Sequence, residues 1–228
     1  MLERERGRVA DVSRRLAAAG LVLGTAGNVS ERAGELVAVT PTGATLEALD
    51  ADAVTVVDLT GRHLAGPFEA TSELGLHLGV YSRYDSGAVV HTHAPIATAL
   101  ACVLDELPVI HYQMLELGGP IKVAPYATFG TSELAELALD ALSDRGAALL
   151  SNHGTITHGP DLDSAVDRSL LLEWACTLYW RAAAIGAPRT LDEAQCEEYI
   201  SALARRGYGT TKPTSVYQPI RLSEGETT

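Results

Sequence analysis

The chain has 228 residues, 46% of them hydrophobic, a formal charge of −12 at pH 7, and only two lysines, Lys122 and Lys212. That length suffices for one large domain with a substantial core, and the acidic balance argues against nucleic-acid or anionic-membrane partners, both of which need a basic face. No long apolar run or secretory leader is visible, so a cytoplasmic protein without a membrane span is expected, and the scattered Cys102, Cys176 and Cys196 read as reduced core thiols.

Val9, Val12 and Leu16 recur at helical spacing ahead of Gly20 and predict an opening helix. The next stretch, Gly24-Thr25-Ala26-Gly27-Asn28-Val29-Ser30, is polar and glycine-rich. It is one of three segments, with Thr40-Pro41-Thr42-Gly43 and Ala70-Thr71-Ser72-Glu73, that present backbone N–H groups and hydroxyls. Taken singly, each reads as a turn or a helix cap. Taken together they make a phosphate cradle, the kind expected where cationic side chains are scarce. Between them lie β-like runs at 36–40 and 54–59.

A helix is predicted over 73–81, with Glu73 in its first turn. A carboxylate there is ordinarily a favourable partner of the helix dipole; beside a metal it is also placed to act as a general base. The strand predicted over 87–91 runs into His91-Thr92-His93. Alternating side chains put both imidazoles on one face, which is a metal grip. A catalytic zinc needs three protein ligands and an open position. After a short strand at 122–124 and a helix over 132–145, the apolar run 147–151 breaks at Ser151-Asn152-His153-Gly154, where a third imidazole is available. His63 and His158 read as surface or turn residues.

A strand at 155–157 is followed by a long helix lined by Leu170, Leu171, Trp174, Ala175, Leu178 and Tyr179 and ending near Gly186 and Pro188. The capping pattern Thr190-Leu191-Asp192-Glu193 announces a last helix that stops at Gly207. The segment 212–228 carries turn residues and no periodicity, and is expected to be a mobile or folded-over tail behind a single domain spanning 1–211. The sum is a mixed sheet flanked by helices.

The three cradle segments, His77 after Ser72-Glu73, the His91/His93 pair, Ile110-His111-Tyr112, the run Ala124-Pro125-Tyr126-Ala127-Thr128-Phe129-Gly130-Thr131 and His153-Gly154 stand in the order found in the class II aldolase/epimerase family. The chain resembles that family from about residue 2 to 209. The resemblance implies an α/β fold of α/β/α layers with a largely antiparallel central sheet, assembled as a homotetramer with active sites between subunits. It implies Zn2+ held by His91, His93 and His153, and a small-molecule sugar phosphate bound by Asn28, Thr42, Gly43, Thr71 and Ser72. Thr71 stands where the family pattern has serine, which keeps the hydroxyl. By the same resemblance Glu73 moves the proton, Tyr112 of an adjacent subunit serves the aldehyde oxygen, and Phe129 and Tyr208 line the aldehyde end.

The implied reaction is zinc-dependent cleavage of a ketose 1-phosphate to dihydroxyacetone phosphate and a small aldehyde such as lactaldehyde. Pentulose-phosphate 4-epimerases, dehydratases and decarboxylases share the metal scaffold and are the alternatives. A non-catalytic, adducin-like interaction domain is more distant, because it has no need to keep His91, His93, His153 and Glu73 together.

Overall fold

The apolar runs of the sequence become strands of a sheet with helices on both sides. The computed structural model describes residues 1–206; Tyr208 and the 212–228 tail lie outside the described residues. Chain order is α1 (Glu3–Ala18), β1 (Asn28–Ala33), β2 (Leu36–Val39), β3 (Thr55–Asp58), β4 (His63–Ala65), α2 (Leu74–Arg83), β5 (Ala88–Thr92) and α3 (Pro95–Ala101). It continues with β6 (Glu106–Leu107), β7 (Ile121–Ala124), α4 (Ser132–Ala141), β8 (Ala147–Leu150), β9 (Gly154–Gly159), α5 (Leu162–Ile185) and α6 (Glu193–Arg206). Met1–Asp192 forms one compact unit, and α6 belongs to a second.

Among the described residues the sheet has nine strands in the order β4-β3-β2-β1-β5-β9-β8-β7-β6. Every neighbouring pair is antiparallel except β7 with β8. The largely antiparallel, layered architecture expected from the resemblance is therefore present. Three strands and one helix depart from the sequence reading: β1 continues out of the segment read as a turn, the short β4 and β6 sit at the sheet edges, and α3 follows soon after His93.

Strand alternation sorts the side chains between two helical layers. On one face Val37, Val57, Val89, Leu150 and Ile156 pack against Leu76, Val80, Ala138 and Leu142 from the α2 and α4 segments. On the other face lie α3 and α5. There the Thr157 hydroxyl donates to the Ala165 carbonyl of α5 at 2.9 Å. Glu173 of α5 accepts from the Ile96 and Ala97 amides at 3.0 and 2.8 Å, satisfying two donors that the first turn of α3 leaves open. These buried apolar layers fix β5 and the β8–β9 hairpin side by side, and the sheet's polar end carries the site.

Of the three cysteines, Cys176 alone is a core thiol; Cys102 is exposed and Cys196 half-buried, and all are free. His158 is not a surface turn residue: it lies in β9, stacks on Tyr84 with ring centres 5.0 Å apart, and its ring nitrogen meets the Arg145 carbonyl at 3.0 Å. No helix among the described residues is long and apolar enough to cross a membrane.

Candidate active site

Three imidazoles meet at the end of β5. His91 is the penultimate strand residue and His93 the first beyond the strand, so the strand's alternation turns both the same way. The β8–β9 hairpin supplies His153. Leu150 pairs with Gly154, and the turn between them holds Asn152 at φ 54, a left-handed conformation that Asn tolerates better than most residues. Gly154 is required here for space: a Cβ on it would stand 2.3 Å from the Thr92 carbonyl oxygen and 3.0 Å from the His93 ring. Gly27 is required on the other side, where φ is +87 and a Cβ would meet the His91 carbonyl oxygen at 2.9 Å.

The ligand nitrogens of His91, His93 and His153 lie within 4.8 Å of one another. His91 Nδ1 faces the Thr155 carbonyl at 2.8 Å, which takes its proton and leaves Nε2 as a lone pair pointing inward. That Nε2 stands 3.1 Å from His93 Nε2 and 3.2 Å from Glu73 Oε2. Lone pairs and a carboxylate pointed at one another repel unless a cation sits among them. Two nitrogens on a tetrahedral zinc, at zinc–nitrogen bonds near 2 Å, would be about 3.3 Å apart, so the His91–His93 pair has the spacing of such a site. Burial, reinforced by the neighbouring rings, depresses the His93 pKa to about 4 and lowers that of His153, which keeps both imidazoles in the neutral form that binds metal.

Glu73 caps the N-terminus of α2 and is 7% exposed. Burial by itself would raise its pKa. A proton or a cation held among His91 and His153, together with donation from the Asn28 amide, overcomes that and holds the carboxyl well below the usual carboxylate range. Its Oε1 lies 3.5 Å from His153 Nε2 and has no hydrogen-bond partner among the described residues.

A pocket of about 400 Å³ opens beside this cluster. Asn28, Thr42, Gly43, Thr71, Ser72, Glu73, Phe129, His93 and His153 all line it, together with Tyr126 and Asn152. Among the described residues no lysine or arginine does so. His91 is fully buried behind it. The structure thus brings the metal, phosphate and carboxylate candidates to one place. Tyr112 is elsewhere on the chain: it begins a 3-10 turn, is 39% exposed, and stacks on His111 at 4.3 Å.

A set of buried contacts linking Glu73, Asn28, His77, Ser30 and Tyr81 was not apparent from the sequence. Asn28 Nδ2 donates to Glu73 Oε2 at 2.9 Å, and Asn28 Oδ1 meets His77 Nε2. His77 Nδ1 meets the Ser30 hydroxyl at 2.7 Å, and Ser30 in turn meets the Tyr81 hydroxyl at 2.6 Å. All are buried, His77 and Ser30 completely. The available signal was spacing: residues 28 and 30 share a strand face, and 73, 77 and 81 recur every four along a helix.

The chain matches the family described as Class II Aldolase and Adducin N-terminal domain over residues 7–180. It is 37% identical over 206 residues to the 5-methylthioribulose-1-phosphate/5-deoxyribulose-1-phosphate aldolase of Rhodospirillum rubrum, covering 90% of this chain and 93% of that one. It is 41% identical over 171 residues to the L-fuculose phosphate aldolase of Escherichia coli, covering 74% and 79% respectively. Among solved structures, an L-fuculose 1-phosphate aldolase superimposes with a TM-score of 0.84 at 31% identity, over 88% of this chain and 96% of the other.

Proposed function

The chain belongs to the class II aldolase and adducin N-terminal domain family and is a class II aldolase, a carbon–carbon lyase; from that premise we propose that it cleaves a ketose 1-phosphate to dihydroxyacetone phosphate and a small aldehyde, using zinc. The observation that carries this reading is the convergence of three imidazoles and Glu73 beside a pocket whose other lining residues are uncharged and include amide and hydroxyl donors. The relatives' names point to three substrates, 5-methylthioribulose 1-phosphate, 5-deoxyribulose 1-phosphate and L-fuculose 1-phosphate. Breaking the bond between C3 and C4 of any of them releases the same three-carbon phosphate, with methylthioacetaldehyde from the first, acetaldehyde from the second and lactaldehyde from the third.

His91, His93 and His153 are the residues to hold the ion. When bound, a divalent cation supplies Lewis-acid stabilisation of negative charge developing on the ketone oxygen. Asn28, Thr42, Gly43, Thr71 and Ser72 take the phosphate through amide and hydroxyl donors. Tyr112, from a neighbouring copy in a homotetramer, takes the proton of the C4 hydroxyl on its phenolate oxygen as the C3–C4 bond breaks and the aldehyde forms. The electron pair of that bond passes to the three-carbon fragment, and Glu73, having taken a proton from solvent, gives it to C3 while Tyr112 releases its own to solvent, so the cycle is proton-neutral. In the condensation direction the ionised carboxylate removes that proton, which suits the environment that keeps Glu73 charged. Phe129 borders the aldehyde. The acidic balance and the lack of a membrane-crossing helix among the described residues support a cytoplasmic enzyme without nucleic-acid or membrane partners.

The test is a panel of ketose 1-phosphates and 5-phosphates, assayed for released dihydroxyacetone phosphate in zinc-loaded and metal-free protein. Release from 1-phosphates in the zinc-loaded form alone is expected. Epimerised pentulose 5-phosphate without aldehyde release would replace this reading with the epimerase.

A further inference from the structure

The buried chain behind Glu73 has a direction. An ionised carboxylate only accepts, so the Asn28 atom facing Glu73 is the donating NH2 group, and Oδ1 faces His77. Oδ1 only accepts, so His77 donates from Nε2, and its Nδ1 is the acceptor. Ser30 must then donate to Nδ1, which leaves its oxygen to accept from the Tyr81 hydroxyl. Each group has one arrangement that satisfies all its neighbours. Burial depresses the His77 pKa to about 3, consistent with a neutral ring having one donor and one acceptor nitrogen.

The sheet register makes this possible. Asn28 lies opposite His91 and Ser30 opposite Val89, so both polar side chains face α2 from β1. α2 begins at Glu73's cap and presents His77 and Tyr81 one and two turns on. We propose that His77, oriented by Ser30 and Tyr81, is a positioning residue that fixes the Asn28 amide with its NH2 group toward Glu73. The inference rests on the proposed role of Glu73 in proton transfer and adds what holds that carboxylate and the phosphate-side amide in register. Without the His77 donor, no other hydrogen bond to Oδ1 among the described residues opposes rotation of the amide by half a turn, which would set its oxygen against the carboxylate.

The experiment uses zinc-loaded protein with 15N-labelled histidine, and reads ring tautomers by two-bond proton–nitrogen correlation alongside solvent-proton exchange into dihydroxyacetone phosphate. The His77 signals, identified by their loss in His77→Gln, are expected to report the Nε2–H tautomer in the wild type. Ser30→Ala is expected to move them toward the other tautomer and to lower the exchange kcat about tenfold, with KM changed less than about threefold. Gln at position 77 can still donate to Asn28, so His77→Gln should retain more exchange than His77→Leu at equal zinc content. An Nδ1–H tautomer in the wild type would overturn the proposal, as would a folded, zinc-replete His77→Leu variant exchanging at the wild-type rate. Absence of exchange in the wild type itself would count against the proposed reaction, and the tautomer would still decide the direction of the chain.

Discussion

Asn28 and His91 are paired directly across the antiparallel ladder of β1 and β5. The pairing puts a candidate phosphate-side amide and a candidate metal ligand on the same sheet face, with Glu73 reaching both: 2.9 Å from the amide and 3.2 Å from the imidazole. A change at any of these three side chains is therefore felt by the other two.

Removal of metal is expected to abolish cleavage, and added zinc to restore it. His91→Ala and His93→Ala should each lose bound zinc together with activity, because each deletes a ligand from the cluster. Metal content by elemental analysis and turnover, measured on the same preparations, check this. Full turnover in verified metal-free protein would contradict it.

Glu73→Gln keeps the shape of the side chain and removes its charge. Zinc content and melting temperature should change little, while proton exchange into dihydroxyacetone phosphate falls by about 10²–10⁴, the usual range for loss of a general base. Exchange at the wild-type rate would reduce Glu73 to a helix-start carboxylate.

Tyr112 does not line the pocket of its own chain, so the proposed role requires a neighbouring copy. Tyr112→Phe should slow cleavage while sparing proton exchange. Co-expressed with Glu73→Gln, it should regain activity, because about a quarter of sites in randomly mixed assemblies carry both intact residues. Two separately purified inactive variants that stay inactive when co-assembled would place Tyr112 outside the reaction.

Gly154→Ala should cost about 1–3 kcal/mol or more, since the added carbon meets a backbone oxygen that cannot move without opening the pairing of β5 and β9. The His93 ring is the other obstacle, so zinc affinity is expected to fall with stability. Thermal unfolding and zinc titration read the two effects.

His77 has its folded-state pKa depressed to about 3, so the unfolded chain binds the extra proton more readily. Stability is complete above the unfolded value near 6.5 and is lost as pH falls toward 3, by up to about 1.4 kcal/mol per pH unit from this one group. His77→Gln should flatten that part of the wild-type stability curve, measured by denaturant unfolding between pH 7 and 4 in metal-free protein. An unchanged slope would show that the ring is not held neutral by burial.

The period-two spacing of His91 and His93 was legible in the sequence because strand geometry fixes it locally. The arrival of His153 depends on β9 lying next to β5, a contact 64 residues apart at His91 and Thr155 that no local pattern reports. β1 was hidden for a different reason. Its residues Asn28, Ser30 and Glu31 are polar yet buried, so the strand lacks the apolar alternation by which half-buried strands are recognised. The polarity that disguised the strand is what the buried chain from Tyr81 to Glu73 is made of. α3 was missed because seven residues starting at Pro95 are too few to show a helical period.

The absence of lysine and arginine from the pocket lining, among the described residues, has a kinetic consequence. A doubly charged sugar phosphate approaching a chain of charge −12 meets repulsion at long range and attraction only within hydrogen-bonding distance. Capture is then decided by the last few ångströms and not by steering from afar. Salt, which slows association wherever a basic funnel gathers its anion, should here shield the approach and quicken it.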